Sequence, residues 1–424
     1  MGTMAPNTME DLKTNGFENS QKELDAGAMF VLKSKGSWLH CGYHLTTSIV
    51  APVLLSIPFA LGLLGWVGGL ICLTLAGLVT FYAYNLLSLV LEHHANQGHR
   101  QLRFRDMARD ILGPKWGKYF VGPLQLGICF GAVIACTLLG GQSLKFIYLL
   151  SNPNGEMKLY QFIIMFGSVV LVLAQMPSFH SLRHINLISL ILCLAFSACA
   201  AAGSVNIGHS KDAPRRDYSA TIAAPVQGKM FKGLCVCYSV IAVTYFSVGV
   251  SGYWAFGNQA EGTVLSNFMG VDNKPLLPTW FLVITNVFTI TQVLAVTLVY
   301  LQPTNEVFEN KFADPKMEQF STRNIIPRLI FRSLSVIVAT LFAAMLPFFG
   351  DLMALFGAFG CIPLDFILPM IFYNVTFKPS KRGMVFWVNS VIVVASSVLV
   401  GIGAIASLRQ IVIDAKTYRL FANM

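Results

Sequence analysis

The sequence predicts an all-α polytopic membrane protein that crosses the bilayer about ten times, and three observations predict it. Hydrophobic residues make up 55% of the 424-residue chain and charged residues only 12%, half the roughly 25% charge of a soluble domain. The apolar residues come in blocks close to the 20 or so that a helix needs to cross the hydrocarbon layer. The charged residues fall almost wholly between those blocks, in short connections. A transmembrane β-barrel would show short alternating segments, whereas these runs are solidly apolar. The net charge of +10 therefore reports orientation in the membrane, not a nucleic-acid partner.

Taken in order, residues 1–36 are polar and poor in aromatic and β-branched residues; they read as a disordered tail without a cleavable signal peptide. Ten apolar blocks follow, near 40–61, 66–90, 120–149, 159–177, 184–206, 233–254, 277–301, 329–349, 352–374 and 385–408. They form one transmembrane domain over 37–424, with a short tail at 409–424. In the first block Pro52 lacks an N–H and its ring clashes with the carbonyl one turn back. A break is expected near 48–52, with a second weak point at Pro58. Such a break either lines a polar cavity or is a plain kink. Gly65 with Gly69, and Gly127 with Gly131, have the i, i+4 spacing of close helix packing.

The nine cysteines lie mostly inside apolar blocks and read as small packing residues, not disulfides or metal ligands. His40 and His44 are spaced i, i+4, which suits a metal; no further ligand accompanies them, and they read as interfacial. The GIGAIA run at 401–406 imitates a dinucleotide fingerprint without the preceding strand. No metal and no cofactor are expected.

Charge orients the first half without conflict. The linker 91–119 carries Arg100, Arg103, Arg105, Arg109, Lys115 and Lys118, which places it and the N-terminus in the cytoplasm. The connection 150–158 holds only Lys158 and belongs outside; 178–183, with Arg183, belongs inside. Beyond that, the count of spans and the charges disagree. The loops 302–328 (Lys311, Lys316, Arg323, Arg328) and 375–384 (Lys378, Lys381, Arg382) would lie outside, and the cation-poor 255–276 inside. One further crossing between 206 and 232 would restore every loop, yet no apolar run exists there.

A set of motifs carries a resemblance across nearly the whole chain. In the first half they are SKGSWLHCGYHLTTSIVAPVLLSIPFA (34–60), FYAYNLLSLVLEHH (81–94), LRFRDMARDILGPKWGKYFVGP (102–123), LLGGQSLKFIYLL (138–150), NGEMKL (154–159) and AQMPSFHSLRHIN (174–186). The second half adds APVQGKM (224–230), GYWAFGN (252–258), VYLQPTNEVFE (299–309), MLPFFGD (345–351) and GAFGCIPLDFILP (357–369). In this order the chain resembles the amino acid/auxin permease family of proton-coupled symporters, in particular its plant γ-aminobutyrate (GABA) transporter group. The resemblance implies eleven helices. Ten form two inverted five-helix repeats, with helices one and six unwound around the substrate. The first repeat is complete here, over about 37–206. The junction 207–232 leads into a second repeat, which with the final helix covers about 233–408. The departure falls at DYSATIAAPVQGKM (217–230). Between the counterparts of Ser219 and Ala220 the family carries about thirty more residues, enough for one span and its flanks. Loop charges and resemblance thus point independently to a missing sixth helix.

The resemblance implies substrate contacts at the unwound part of the first span: Ser48, Ile49, Val50, Ala51, Pro52 and Val53. A freed helix end there holds a carboxylate through backbone N–H groups. The hydroxyls of Thr46, Thr47 and Ser48 either join the site or bond the carbonyl one turn back. In the block 277–301, Asn286, Thr289, Thr291 and Gln292 form a polar cluster that suits either a cavity wall binding an amine or a sodium-like ion, or interhelical hydrogen bonding. Asn286 and Thr289 are taken as substrate-binding candidates, and Thr291 as structural. Asp365, between Pro363 and Pro369 in an apolar block, is the sharpest ionisable candidate. A carboxylate at a helix centre costs about 2.5–3.5 kcal/mol, so it needs a compensating role. That role is uptake of the coupling proton, binding of an ammonium, or pairing with a neighbouring helix. Asn374 heads a glycosylation sequon, but the family topology puts it in the cytoplasm, where it goes unused.

The sequence reading is a secondary active transporter resembling proton-coupled symporters of GABA or other amino acids, in the plasma membrane, shortened and impaired by the missing helix. Its partners are a small amino acid or GABA substrate, protons as coupling ion, and the lipid bilayer. The alternative is a non-transporting truncated isoform that associates with full-length copies. No convergent His, Ser or carboxylate set supports an enzyme.

Overall fold

The computed structural model describes residue 46 and residues 52–97, 101, 103–175, 183–209, 229–270, 274–314, 316–318, 320–346 and 349–417. Helices and their connections account for all of these residues, with no strand among them. A 3-10 turn, Pro52–Ser56, leads into α1 (Ile57–Asn96). The short α2 (Phe104–Leu112) precedes α3 (Pro114–Ser151) and α4 (Leu159–Leu173). Then come α5 (Arg183–His209), α6 (Lys229–Phe256), the short α7 (Val264–Met269), α8 (Thr279–Phe312) and α9 (Thr322–Met345). The next span begins as α10 (Phe349–Phe356), passes two π turns at Gly357–Cys361 and Pro363–Ile367, and leaves as α11 (Leu368–Phe377). The chain closes with α12 (Met384–Thr417).

Eight helical stretches among the described residues are long and apolar enough to cross a membrane, and they account for the expected ten as follows. One stretch, Leu54–Asn96, holds two apolar blocks. Gly65 divides it, with φ 70° and ψ 171°, a backbone that a residue with a Cβ rarely adopts. The remaining crossing is α4, a shorter apolar helix. Gly65 therefore marks a hinge, whereas Gly69 does pack closely, against Leu61 across that hinge. Of the second pair, Gly131 admits the ring of Phe356, whereas a Cβ on Gly127 would meet nothing. The helices also run past their apolar blocks. Of the expected loop 302–328, residues 302–312 belong to α8 and 322–328 to α9, because the charged residues there find buried partners. Residues 409–417 of the expected tail likewise continue α12.

Outward faces are apolar at helical spacing. Ile330, Leu334, Ile337 and Leu341 form such a stripe on α9, and Val391, Val394, Val398, Ile402 and Ile405 form one on α12. Stripes this large suit contact with lipid tails. Inside, α3 packs most extensively on α8, α1 on α6, and α9 on α4. These are the third with the eighth, the second with the seventh and the fourth with the ninth helices of an eleven-helix count, the pairing of an inverted five-helix repeat.

The contacts also fix which ends share a face. Arg103 and Arg105 pair with Glu306. Arg332 donates to the carbonyl of Ala174. His93 meets Phe377, ring centroids 5.0 Å apart. The basic loops of the second half therefore lie beside those of the first, on the side that their charge prefers. The conflict is concentrated between α5 and α6, which run parallel. His209 lies against Trp254 near the end of α6, and Cys193 interacts with Tyr245 further back along both helices. Reaching the start of α6 from His209 means returning the length of a 28-residue helix, about 42 Å. Residues 210–228, including the junction at Ser219 and Ala220, lie outside the described residues.

This arrangement predicts that single cysteines replacing Gln101, Lys316 and Ser380 react with a membrane-impermeant maleimide from one side, and one replacing Asn152 from the other. Labelling of Lys316→Cys from the same side as Asn152→Cys would overturn it.

Candidate functional site

Asp365 lies in the second π turn, where the backbone cannot close ordinary α-helical bonds. Pro363 has no N–H to donate, and neither has Pro369, the residue one turn beyond Asp365. The carboxylate is half-buried and accepts a hydrogen bond at Oδ1 from the Tyr84 hydroxyl of α1, 3.1 Å away. Tyr238 of α6 and Tyr300 of α8 lie close enough to interact with it electrostatically. The Tyr84 and Tyr238 rings are 6.5 Å apart, and Phe81, one turn earlier on α1, meets Tyr238 edge-on at 5.2 Å. Four elements thus bring three phenols to one carboxylate, and no cation pairs with it among the described residues. Spacing alone gives no sign of this cluster, because each tyrosine comes from a different helix.

The α8 cluster sits on the buried side of its helix. Asn286, Thr289 and Gln292 are buried, whereas Thr291 is exposed. Thr289 and Thr291 donate to the carbonyls of Thr285 and Val287, the local bonding to the preceding turn that such residues favour. Asn286 differs. Its Nδ2 donates to the Leu282 carbonyl at 2.9 Å, but its buried Oδ1 has no hydrogen-bond partner. Of the first-span candidates, Ser48, Ile49, Val50 and Ala51 lie outside the described residues, as do Thr47, His40 and His44. Pro52 and Val53 begin the 3-10 turn, and Thr46 is buried. Eight cysteines are free, and no group of three or more potential metal ligands occurs among the described residues. Asn374 accepts from Asn389 at 2.8 Å.

A second polar cluster, unforeseen in the sequence, closes the basic face. Glu306 accepts from Arg103 at 2.7 Å and Arg105 at 2.8 Å. Glu309, one turn on, takes Arg328 through both oxygens, at 2.9 and 3.1 Å, and Arg332 at 2.6 Å. The side chains of Glu309 and Arg332 are only 4% and 2% exposed. Charges this deep are retained because they are paired and hydrogen-bonded. The same Arg332 satisfies Ala174 at the end of α4, tying α4, α8 and α9 together. A charged turn, NEVFE, directly after an apolar run was the available signal.

Broken and bulged helices, repeat-related pairing and an intramembrane carboxylate define a secondary active transporter of inverted-repeat architecture. The chain belongs to the family described as transmembrane amino acid transporter protein, whose model matches residues 34–222 and again 218–410. It is 53% identical to GABA transporter 1 of Arabidopsis thaliana, over 98% of this chain and 99% of that one. It is 28% identical to Lysine histidine transporter-like 1 of the same plant, over 95% and 94% of the two chains. Among solved structures, it shares its fold with a Na+-coupled sialic acid symporter in a substrate-bound, outward-open state. That similarity has a TM-score of 0.50 at 12% identity, over 98% of this chain and 97% of the other.

Breaking the basic-face cluster has a predictable cost. Glu309→Gln leaves Arg328 and Arg332 uncompensated and is expected to destabilise the protein by about 3–5 kcal/mol, lowering its melting temperature in detergent by several degrees. Lys316→Gln, at an exposed position, is the control and is expected to leave it unchanged. Equal melting temperatures for the two variants would refute the account.

Proposed function

We propose that the protein carries small amino acids, GABA among them, by proton symport with Asp365 as the proton-accepting group. Its turnover is low because the partner of the broken first span is absent. The observation that carries this reading is the shape of the family match. Two matches to one family model overlap at 218–222. The alignment to the 53%-identical relative runs over 448 positions, although this chain has 424 residues. The relative therefore supplies at least 24 positions that this chain lacks. Overlapping matches and surplus positions agree with a helix missing between Ser219 and Ala220.

The substrate's carboxylate meets the freed backbone at 48–53, and Asn286 Oδ1 supplies an acceptor for its amine, with Thr289 beside it. In inverted-repeat transporters the site lies between corresponding discontinuous helices, and here one of the two remains. The basic face is cytoplasmic, as its Lys and Arg content favours, which puts the N-terminus in the cytoplasm; membership of the amino acid transporter family favours the plasma membrane.

Uptake of labelled GABA by a transport-deficient cell tests the reading. Inserting the relative's intervening segment between Ser219 and Ala220 is expected to raise the initial rate at least tenfold. Equal rates would show that the missing segment is dispensable. In the active form, Asp365→Asn is expected to abolish the acceleration of uptake at low external pH; an unaltered pH profile would remove Asp365 from the coupling role.

A further inference from the structure

We propose that Tyr84 and Tyr238 form a two-donor shell that positions the Asp365 carboxylate, linking the α1–α6 pair to the α10–α11 segment while that carboxylate is charged. The inference rests on the reading of Asp365 as the proton-accepting group. Tyr84 already donates to Oδ1. The Tyr238 hydroxyl is buried and has no hydrogen-bond partner, an unfavourable state that a hydrogen bond to a nearby acceptor would relieve. Its ring is wedged against Phe81 and faces Tyr84, so the hydroxyl is held near the carboxylate with which it interacts.

An ionised carboxylate has room for about four hydrogen bonds. A second phenol can therefore reach it without displacing the first, and no cation competes for it. The groups facing Asp365 are Tyr84 from α1, Tyr238 from α6, Tyr300 from α8 and Cys361 from its own segment. The remaining neighbour, α12, packs on this π turn and has no ionisable side chain between Met384 and Leu408. Hydrogen bonds to a charged acceptor are about twice as strong as neutral ones. When the carboxylate takes a proton from solvent, one oxygen becomes a donor and both phenol links weaken together. The Tyr84 link joins α1 of the first half to the π turn of the second, so protonation at one residue loosens a contact between halves.

Infrared difference spectra of the purified full chain in lipid nanodiscs, taken across a pH series, test this without requiring transport. The wild type is expected to show a protonated-carboxyl C=O band that titrates and is lost in Asp365→Asn. Tyr84→Phe and Tyr238→Phe are each expected to retain the band, shift its frequency, and move its midpoint by about half a pH unit, roughly threefold in proton affinity. A titrating band that neither variant moves overturns the shell and leaves Asp365 in its role. Wild-type and Asp365→Asn spectra that coincide overturn both.

Discussion

The hydrocarbon core offers no water, so every backbone N–H and C=O within it must find a partner in the protein. The rest of the structure follows from that constraint. It makes the apolar blocks helices, and it turns each departure from the α-helix into a costly position that persists only where protein surrounds it. The described departures are few: the 3-10 turn at Pro52–Ser56, the glycine hinge at Gly65, the π turn at Gly117–Val121, and the paired π turns of Gly357–Cys361 and Pro363–Ile367. Three of the five involve proline or a glycine with positive φ. The last of them presents Asp365, and bulges of this kind recur at functional sites. The α8 hydroxyls obey the same constraint by turning back onto their own helix.

The constraint also explains how charge is distributed. Cations that would be prohibitive in the spans gather on one face. There, two glutamates one turn apart pair with four arginines, drawn from the α1–α2 connection, α2 and α9. Because Arg332 also reaches the end of α4, α4, α8 and α9 share one buried polar junction. Such a junction favours a rigid unit, since removing Glu309 leaves two buried arginines unpaired. The tyrosine-lined carboxylate is a different kind of contact. It joins α1 to the π turn through the neutral Tyr84 hydroxyl, so its strength varies with the charge on the carboxylate.

Much of this was legible in the sequence. Block length and charge placement identified the spans, and Pro52, Pro58 and Asp365 were marked by residue type alone, because each breaks a local rule of an apolar helix. Loop charge even set the count of crossings against the expected topology, since Lys311, Lys316, Lys378 and Lys381 stood on the wrong side of the count. Tertiary assembly was not legible. Tyr84, Tyr238 and Tyr300 look like ordinary apolar-block residues until three helices meet a fourth segment at Asp365. Glu306, Glu309, Arg328 and Arg332 looked like loop charges, and only pairing across helix ends makes them buried. Gly65 misled by its spacing; its positive φ, a hinge property, does not show in a pattern of small residues.

On the proposed reading, the missing helix bears unequally on the proposed proton and substrate sites. Asp365 and its phenols come from α1, α6, α8 and the π turn, all of which the chain retains, so the proton site does not need the absent helix. The substrate site does, since its second wall would come from that helix. A ligand shifts a conformational equilibrium only by its difference in affinity for the two states, and coupling between two ligands is the free energy that their sites share. If one wall of the proposed substrate site is absent, the difference available to the substrate shrinks while that available to the proton is preserved. On the proposed reading, the shortened chain still senses protons, and what it loses is the link between proton and cargo.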